Sequence, residues 1–176
     1  MRLNNILQRL SLELRKRFSS PESYARYLGV HIGDNCLINI RDWGTEPYLI
    51  CIGNNVQITR GVSLLCHGGG HAVRWKYPEF DTFGKIVIED WCYIGSGAQI
   101  MPGVVVGYGS LVASGSIVTK SVPPYSVVAG NPARIICSTD DYVAKNIKFN
   151  LNTKRLTPKE KRLYLLNLPE DKFVKK

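Results

Sequence analysis

The sequence holds only three histidines and two methionines, and none of its five cysteines forms a CxxC pair. An odd number of cysteines without paired spacing excludes a disulfide framework and offers no zinc site of the thiolate type. Cys36, Cys51, Cys66, Cys92 and Cys137 are read instead as small apolar filler in a reducing cytoplasm, and no metal is expected. No apolar run of about 18 residues exists, so no membrane-spanning helix is expected. Met1–Phe18 alternates apolar and basic residues without a continuous apolar stretch. It does not read as a secretory leader, and a cytoplasmic location is expected. Helix-turn-helix, zinc-finger and RNP-type aromatic motifs are also missing, so the net charge of +9 is not read as a nucleic-acid footprint.

That charge is uneven. Residues 1–17 hold five basic side chains against one acid, and a second basic cluster runs from Lys145 to Lys176. Ile86 to Arg134 is nearly free of charge. Basic termini around a neutral middle suit the phosphates of a small ligand, or peripheral contact with an anionic membrane surface.

The neutral middle repeats. Ile88, Ile94, Ile100, Val106, Val112 and Val118 recur every six residues. Four residues after each stands a smaller side chain: Cys92, Ala98, Val104, Ser110, Ser116 and Val122. The phase returns upstream at Ile52, Ile58 and Leu64, and again at Ile32 and Ile38. A helix repeats at about 3.6 residues and a strand at 2, so neither explains a period of six. Short flat β-segments separated by tight corners do. Three segments close a triangle of eighteen residues, and successive coils stack through parallel β hydrogen bonds.

The expected architecture is therefore mainly β: a single-stranded parallel β-helix over 28–136, interrupted by a protruding loop at 66–85. A helical cap is expected at 1–27 and a helical tail at 137–176. Leu3, Ile6, Leu7, Leu10 and Leu14 have helical spacing, and Ser20-Pro21-Glu22 reads as a helix start. Thr157-Pro158-Lys159-Glu160 reads as an N-cap with proline at N1. These helices are expected to cover the open ends of the stack, where strand edges would otherwise be bare.

Several segments carry a resemblance. Trp91-Cys92-Tyr93-Ile94-Gly95-Ser96-Gly97-Ala98, Met101-Pro102-Gly103-Val104 and Ala113-Ser114-Gly115-Ser116-Ile117-Val118-Thr119-Lys120 resemble the hexapeptide-repeat acyltransferases. The most specific stretch is Val128-Ala129-Gly130-Asn131-Pro132-Ala133-Arg134. Tyr24 to Gly29 and Glu46-Pro47-Tyr48-Leu49-Ile50 resemble the subgroup linked to capsule and lipopolysaccharide synthesis. The resemblance spans about residues 20 to 140 and implies a left-handed coil, a homotrimer, and acetyl-CoA as cosubstrate in a groove between subunits. The implied acceptor is a hydroxyl or amino group of a sugar, within a surface-polysaccharide precursor or linked to a nucleotide.

Acetyl transfer requires a base for the acceptor proton, and imidazole titrates in the right range. The resemblance points to His67 as that base, with His71 as the alternative or as an acceptor contact; His31 is read as structural. Many relatives carry aspartate directly after the histidine, where this chain has Gly68. The orienting group is thus open: a backbone carbonyl, Asp81, or a carboxylate of a neighbouring chain. By motif Ser96, Gly97, Ser114, Thr119, Lys120 and Arg134 line the cosubstrate groove, with a backbone amide at Ser96 or Gly97 stabilising the oxyanion. Lys120 and Arg134 suit phosphates. Trp75, Asp81 and Trp91 are candidate acceptor contacts. Two further readings are a serine acetyltransferase-like enzyme and a non-acyltransferase coil, either a scaffold or a carbonic-anhydrase-like zinc protein using His67 and His71.

Overall fold

A computed structural model describes residues 2–175, with side chains from residue 10 onward. Met1 and Lys176, the outer limits of the expected cap and tail, lie outside the described residues. The side chains of Leu3, Ile6 and Leu7 likewise lie outside the described ones. Contacts divide the chain into two units, 1–139 and 140–176.

The first unit is a three-faced parallel coil. Face A stacks β1 (His31–Ile32), β3 (Ile50–Ile52), β6 (Ile86–Ile88) and β9 (Val105–Val106). Face B stacks β2 (Leu37–Ile38), β4 (Gln57–Ile58), β7 (Tyr93–Ile94), β10 (Leu111–Val112), β12 (Ser126–Gly130) and β13 (Ala133–Ser138). Face C stacks β5 (Ser63–Leu64), β8 (Gln99–Ile100) and β11 (Ile117–Val118). The chain visits A, B and C in constant order, and Tyr93 pairs with Leu111 eighteen residues on. Each two-residue strand turns one side chain in and one out. The six aliphatics of the repeat are all buried, as are their six small partners at the corners. Close packing on that axis leaves each corner little room, which is why Ser110 and Ser116 occupy it as buried hydroxyls bonded to backbone.

The two ends of the coil are closed by different means. At the start, α2 (Pro21–Leu28) is capped by the Ser20 hydroxyl and ended by Gly29 at φ +99°, and it buries Tyr24 and Ala25 against Val30. Among its described side chains, the preceding α1 (Arg2–Phe18) packs Leu12 onto this core, while Leu10, Leu14 and Phe18 face solvent. At the other end no helix is needed over β12, because β13 turns back antiparallel on it. That hairpin covers an edge the repeat alone would leave open. Past the first unit, α3 runs over Thr139–Asn146, and α4 (Pro158–Leu166) has the N-cap and N1 proline expected from its sequence, to which the structure adds a capping box with Thr157 and Glu160 bonding reciprocally.

The corner between faces A and B demands left-handed backbone at one position per coil. Asn35, Asn55, Trp91, Gly109 and Tyr125 all hold φ between 55° and 62° there. Side chains brace the corner from coil to coil. Asn54 Oδ1 accepts the Asp34 amide at 2.8 Å, and Asp90 Oδ1 accepts the Asn54 amide at 2.8 Å. Asn54 Nδ2 also donates to Asp90 Oδ2 at 3.1 Å. The Asn54 backbone amide, then its side chain, holds the Asp90 carboxyl below the usual carboxylate range. A depressed folded value means the bond stabilises above the unfolded pKa of about 4 and is lost as pH falls through the folded one. Asp90→Ala is expected to lower the melting temperature at pH 7. The gap from the unsubstituted protein should close in melts recorded progressively below about pH 4.

Candidate active site

His67 follows β5 at the corner between faces C and A, where the chain leaves the coil. The loop it opens is tied at its neck. His67 and Phe83 form an antiparallel bridge, the Gly68 amide bonds Thr82 O at 3.1 Å, and the Gly84 amide bonds Cys66 O at 2.8 Å. The His67 and Phe83 rings meet edge to face with centroids 6.4 Å apart. A side chain at Gly68 would start 2.9 Å from Thr82 Oγ1, so this neck has no room for the aspartate that many relatives carry.

The orienting carboxylate comes from one coil below. Trp43 is buried, and Gly44 at φ +67° bonds its amide to Asp42. Thr45 and Glu46 thereby emerge beneath the neck. Glu46 Oε2 lies 2.7 Å from His67 Nδ1, with Thr45 Oγ1 3.5 Å from the same nitrogen. The Thr45 hydroxyl, and after it the His67 ring, hydrogen bond to Glu46 and hold its carboxyl below the usual range. An ionised Glu46 only accepts, so Nδ1 carries the proton and Nε2 is the basic nitrogen. The His67 side chain is about half exposed and that of Glu46 much less, at 47% and 14%. Such a dyad takes a proton from a group at the surface and holds the resulting cation beside a carboxylate.

Glu46 is thus a side-chain partner of His67 that motif reading missed, and it joins the candidates for the orienting role. Asp81 is committed elsewhere, 3.3 Å from Arg74 in an ion pair within the loop. The signal lay in the register. His31 pairs with Cys51 and Leu37 with Gln57, so the first coil runs twenty residues and sets 46 and 47 beneath 66 and 67.

The remaining predicted residues separate along the coil. Thr119 and Lys120 stand at the same C-to-A corner as His67, two rungs along face C (β5-β8-β11), or about 10 Å. Lys120 and Arg134 share a cleft of about 360 Å³ with Val118, Ser121, Val122 and Val128. Its basic rim and aliphatic wall fit a phosphate-bearing chain. Ser96, Gly97 and Ser114 lie instead at the B-to-C corner, across face C from His67. Ser96 Oγ bonds Thr59 Oγ1 at 3.2 Å, and the Gly97 amide bonds Arg60 O at 3.1 Å. The Gly97 amide is therefore engaged within the chain.

His71 is exposed in the loop's 3-10 turn (Gly70–Val73), and Trp75 is 83% exposed farther along the loop. Trp91 lies at the A-to-B corner, on the opposite edge of face A from His67. His31 points outward on β1. Among the described residues no three His, Cys, Asp or Glu side chains are grouped to hold a metal.

Comparison with known proteins agrees with the repeat and the fold. The model for the hexapeptide repeat of succinyl-transferase matches residues 85–120. Protein CapG of Staphylococcus aureus is 43% identical over 165 residues, which cover 92% of this chain and 95% of that protein. Galactoside O-acetyltransferase of Escherichia coli strain K12 is 39% identical over 124 residues, covering 69% of this chain. The matched region spans 60% of that longer relative. A hexapeptide-repeat-containing acetyltransferase of Vibrio cholerae O1 biovar eltor, solved with acetyl coenzyme A, superposes with a TM-score of 0.53 at 27% identity. That match covers 73% of this chain and 83% of the other.

Proposed function

The chain is an acetyltransferase of the hexapeptide-repeat family, and on that premise we propose that it moves the acetyl group of acetyl-CoA to a sugar hydroxyl. The sugar belongs to a surface-polysaccharide precursor or a nucleotide-linked donor, and the coil winds left-handed. One observation carries the reading: His67 Nδ1 sits 2.7 Å from Glu46 Oε2, on the corner that also bears Lys120. The galactoside relative supports oxygen rather than nitrogen as the acceptor atom.

His67 Nε2 takes the proton of the acceptor hydroxyl as that oxygen attacks the thioester carbonyl. The C–O bond forms, the C–S bond breaks, and the imidazolium returns its proton to the departing thiolate. Glu46 keeps the ring in the productive tautomer and stabilises its cation between the two transfers. Lys120 and Arg134 hold cosubstrate phosphates at the cleft, a rung or more from the reacting carbon.

The division of the site residues supports an assembly in which neighbouring chains meet, here read as a trimer. Ser96, Gly97 and Ser114 occupy one edge of face C, and His67, Thr119 and Lys120 the other. A single chain cannot close both columns on one ligand, whereas neighbouring chains side by side can. The edge opposite face C supports such an assembly. It is an apolar ridge with Trp91 and Tyr125 more than half exposed, and Tyr108 beside Tyr125 at 5.4 Å between ring centroids. Val87 and Val105 flank it on face A, and Tyr93 and Leu111 on face B. Face C turns out Ser63 and Gln99, with Ile117 as its apolar member. The ridge belongs at the threefold axis, and the C faces look outward.

Thiol release from acetyl-CoA, measured against simple galactosides, nucleotide sugars and serine, tests the reading; acetylation of serine alone would replace it. His67→Ala is expected to lower kcat by about 10²- to 10⁴-fold with the fold retained by circular dichroism. Glu46→Gln is expected to lower kcat on the order of 10²-fold without raising KM for acetyl-CoA. Lys120→Ala and Arg134→Ala are expected to do the reverse, raising that KM about tenfold while kcat holds. Replacing both Trp91 and Tyr125 by glutamate is expected to split the trimer in light scattering and remove activity with it. An intact trimer in that variant would reject the ridge as the axis.

A further inference from the structure

Helix α1 presents an amphipathic face that points away from the protein it belongs to. At about 100° per residue, Leu10, Leu14 and Phe18 fall within one narrow arc, and all three are more than half exposed. The sequence continues that phase back to Leu7 and Leu3, and the helical backbone extends to Arg2. Leu12, on the opposite side, is the residue that packs on the core.

The helix is also held firmly at its C-terminal end. Arg41 donates to the carbonyls of Lys16 and Ser19, the latter at 2.8 Å. The Arg15 guanidinium stacks 4.4 Å from the centre of the Tyr27 ring. The apolar stripe is thus fixed outward by contacts on its other side.

Charge chooses the occupant. The helix carries Arg2, Arg9, Arg15, Lys16 and Arg17 against Glu13 alone, with three of the five in its last turn beside Phe18. Stripe-to-stripe pairing with α1 of a second copy would bring together two helices that each carry five basic side chains against one acid. A surface of negative charge over hydrocarbon satisfies both features, because it attracts the basic turn and receives the leucines and Phe18 just below its headgroups.

We propose that α1 is an interfacial anchor that lays Leu10, Leu14 and Phe18 into an anionic lipid bilayer, with Arg17 at the headgroups and the helix's net positive charge drawing it there. The inference stands apart from the acetyl-transfer reading, since none of these residues touches the His67 corner.

Flotation of the full-length protein with vesicles tests it. Phosphatidylcholine vesicles containing phosphatidylglycerol are expected to carry at least about tenfold more protein than phosphatidylcholine alone. Raising salt from about 0.1 M to 1 M, which shortens screening from about 10 Å to 3 Å, is expected to reduce the difference. Leu10→Ser, Leu14→Ser and Phe18→Ser together should bring recovery on the anionic vesicles down about tenfold while thiol release with a soluble acceptor stays unchanged. Equal recovery on both vesicle types would overturn the proposal, as would a triple variant that floats like the unsubstituted protein. A triple variant whose mass in light scattering falls would assign the stripe to contact between copies instead.

Discussion

Every coil gives its backbone hydrogen bonds to the next one, and the register of that handover governs the rest of the molecule. Tyr93 pairs with Leu111 and Gln99 with Ile117 because eighteen residues separate them, and a slip of one would turn every inward aliphatic out. Two-residue strands hold that register only if the corners are rigid. The A-to-B corner is made rigid by left-handed residues and by the Asp34–Asn54–Asp90 ladder. Asparagine and glycine suit that backbone, while Trp91 and Tyr125 adopt it at a steric cost. Bulky aromatics accepted in such slots, with their rings turned outward, make sense where those rings gain something beyond the single chain.

Once the stack is rigid, position along the chain becomes position in space. Residues eighteen apart share a corner one rung apart, so chemistry-bearing side chains are sorted into columns rather than gathered into a pocket. This is why one chain displays His67 and Lys120 on one edge of face C but Ser96 and Ser114 on the other. A site that needs both columns draws them from neighbouring chains. Catalytic competence and assembly then rest on the same lattice of backbone bonds.

The spacing of aliphatics made the coil legible, because a period of six has no competing explanation and each member is in fact buried. The proposed base was legible only through family likeness, since a lone His67 at the mouth of a glycine-rich loop has no periodic mark. Glu46 was missed because its partner lies twenty-one positions away, in a coil whose length departs from eighteen. Motifs describe neighbours in sequence, whereas this contact is between neighbours in the stack. The antiparallel β13 was also missed, as it follows the last hexad and obeys pairing rather than repeat. On α1 the helical period was legible, but periodicity alone does not say which side a stripe faces. Leu12 and Arg41 settle that.

The departures from the hexad count are themselves arranged. His31 to Cys51 is twenty residues, with the surplus falling between β2 and β3, and that surplus brings out Glu46. Ser63 to Gln99 is thirty-six, with the extra eighteen spent in the loop that begins at His67. Val106 to Val122 is sixteen, with the shortfall at Thr119 to Ser121, where Lys120 stands over its cleft. All three irregularities fall between the second face and the return to the first, on one side of the prism. A perfect repeat offers only corners of small residues, with little reach beyond the backbone. Adding or removing residues at a single corner frees the chain there to project a carboxylate, an imidazole and an ammonium group in line, while the other two corners keep the register that holds the line straight. The function of this coil is therefore written where its period fails, and the regular hexads supply the rigidity that lets those failures act together.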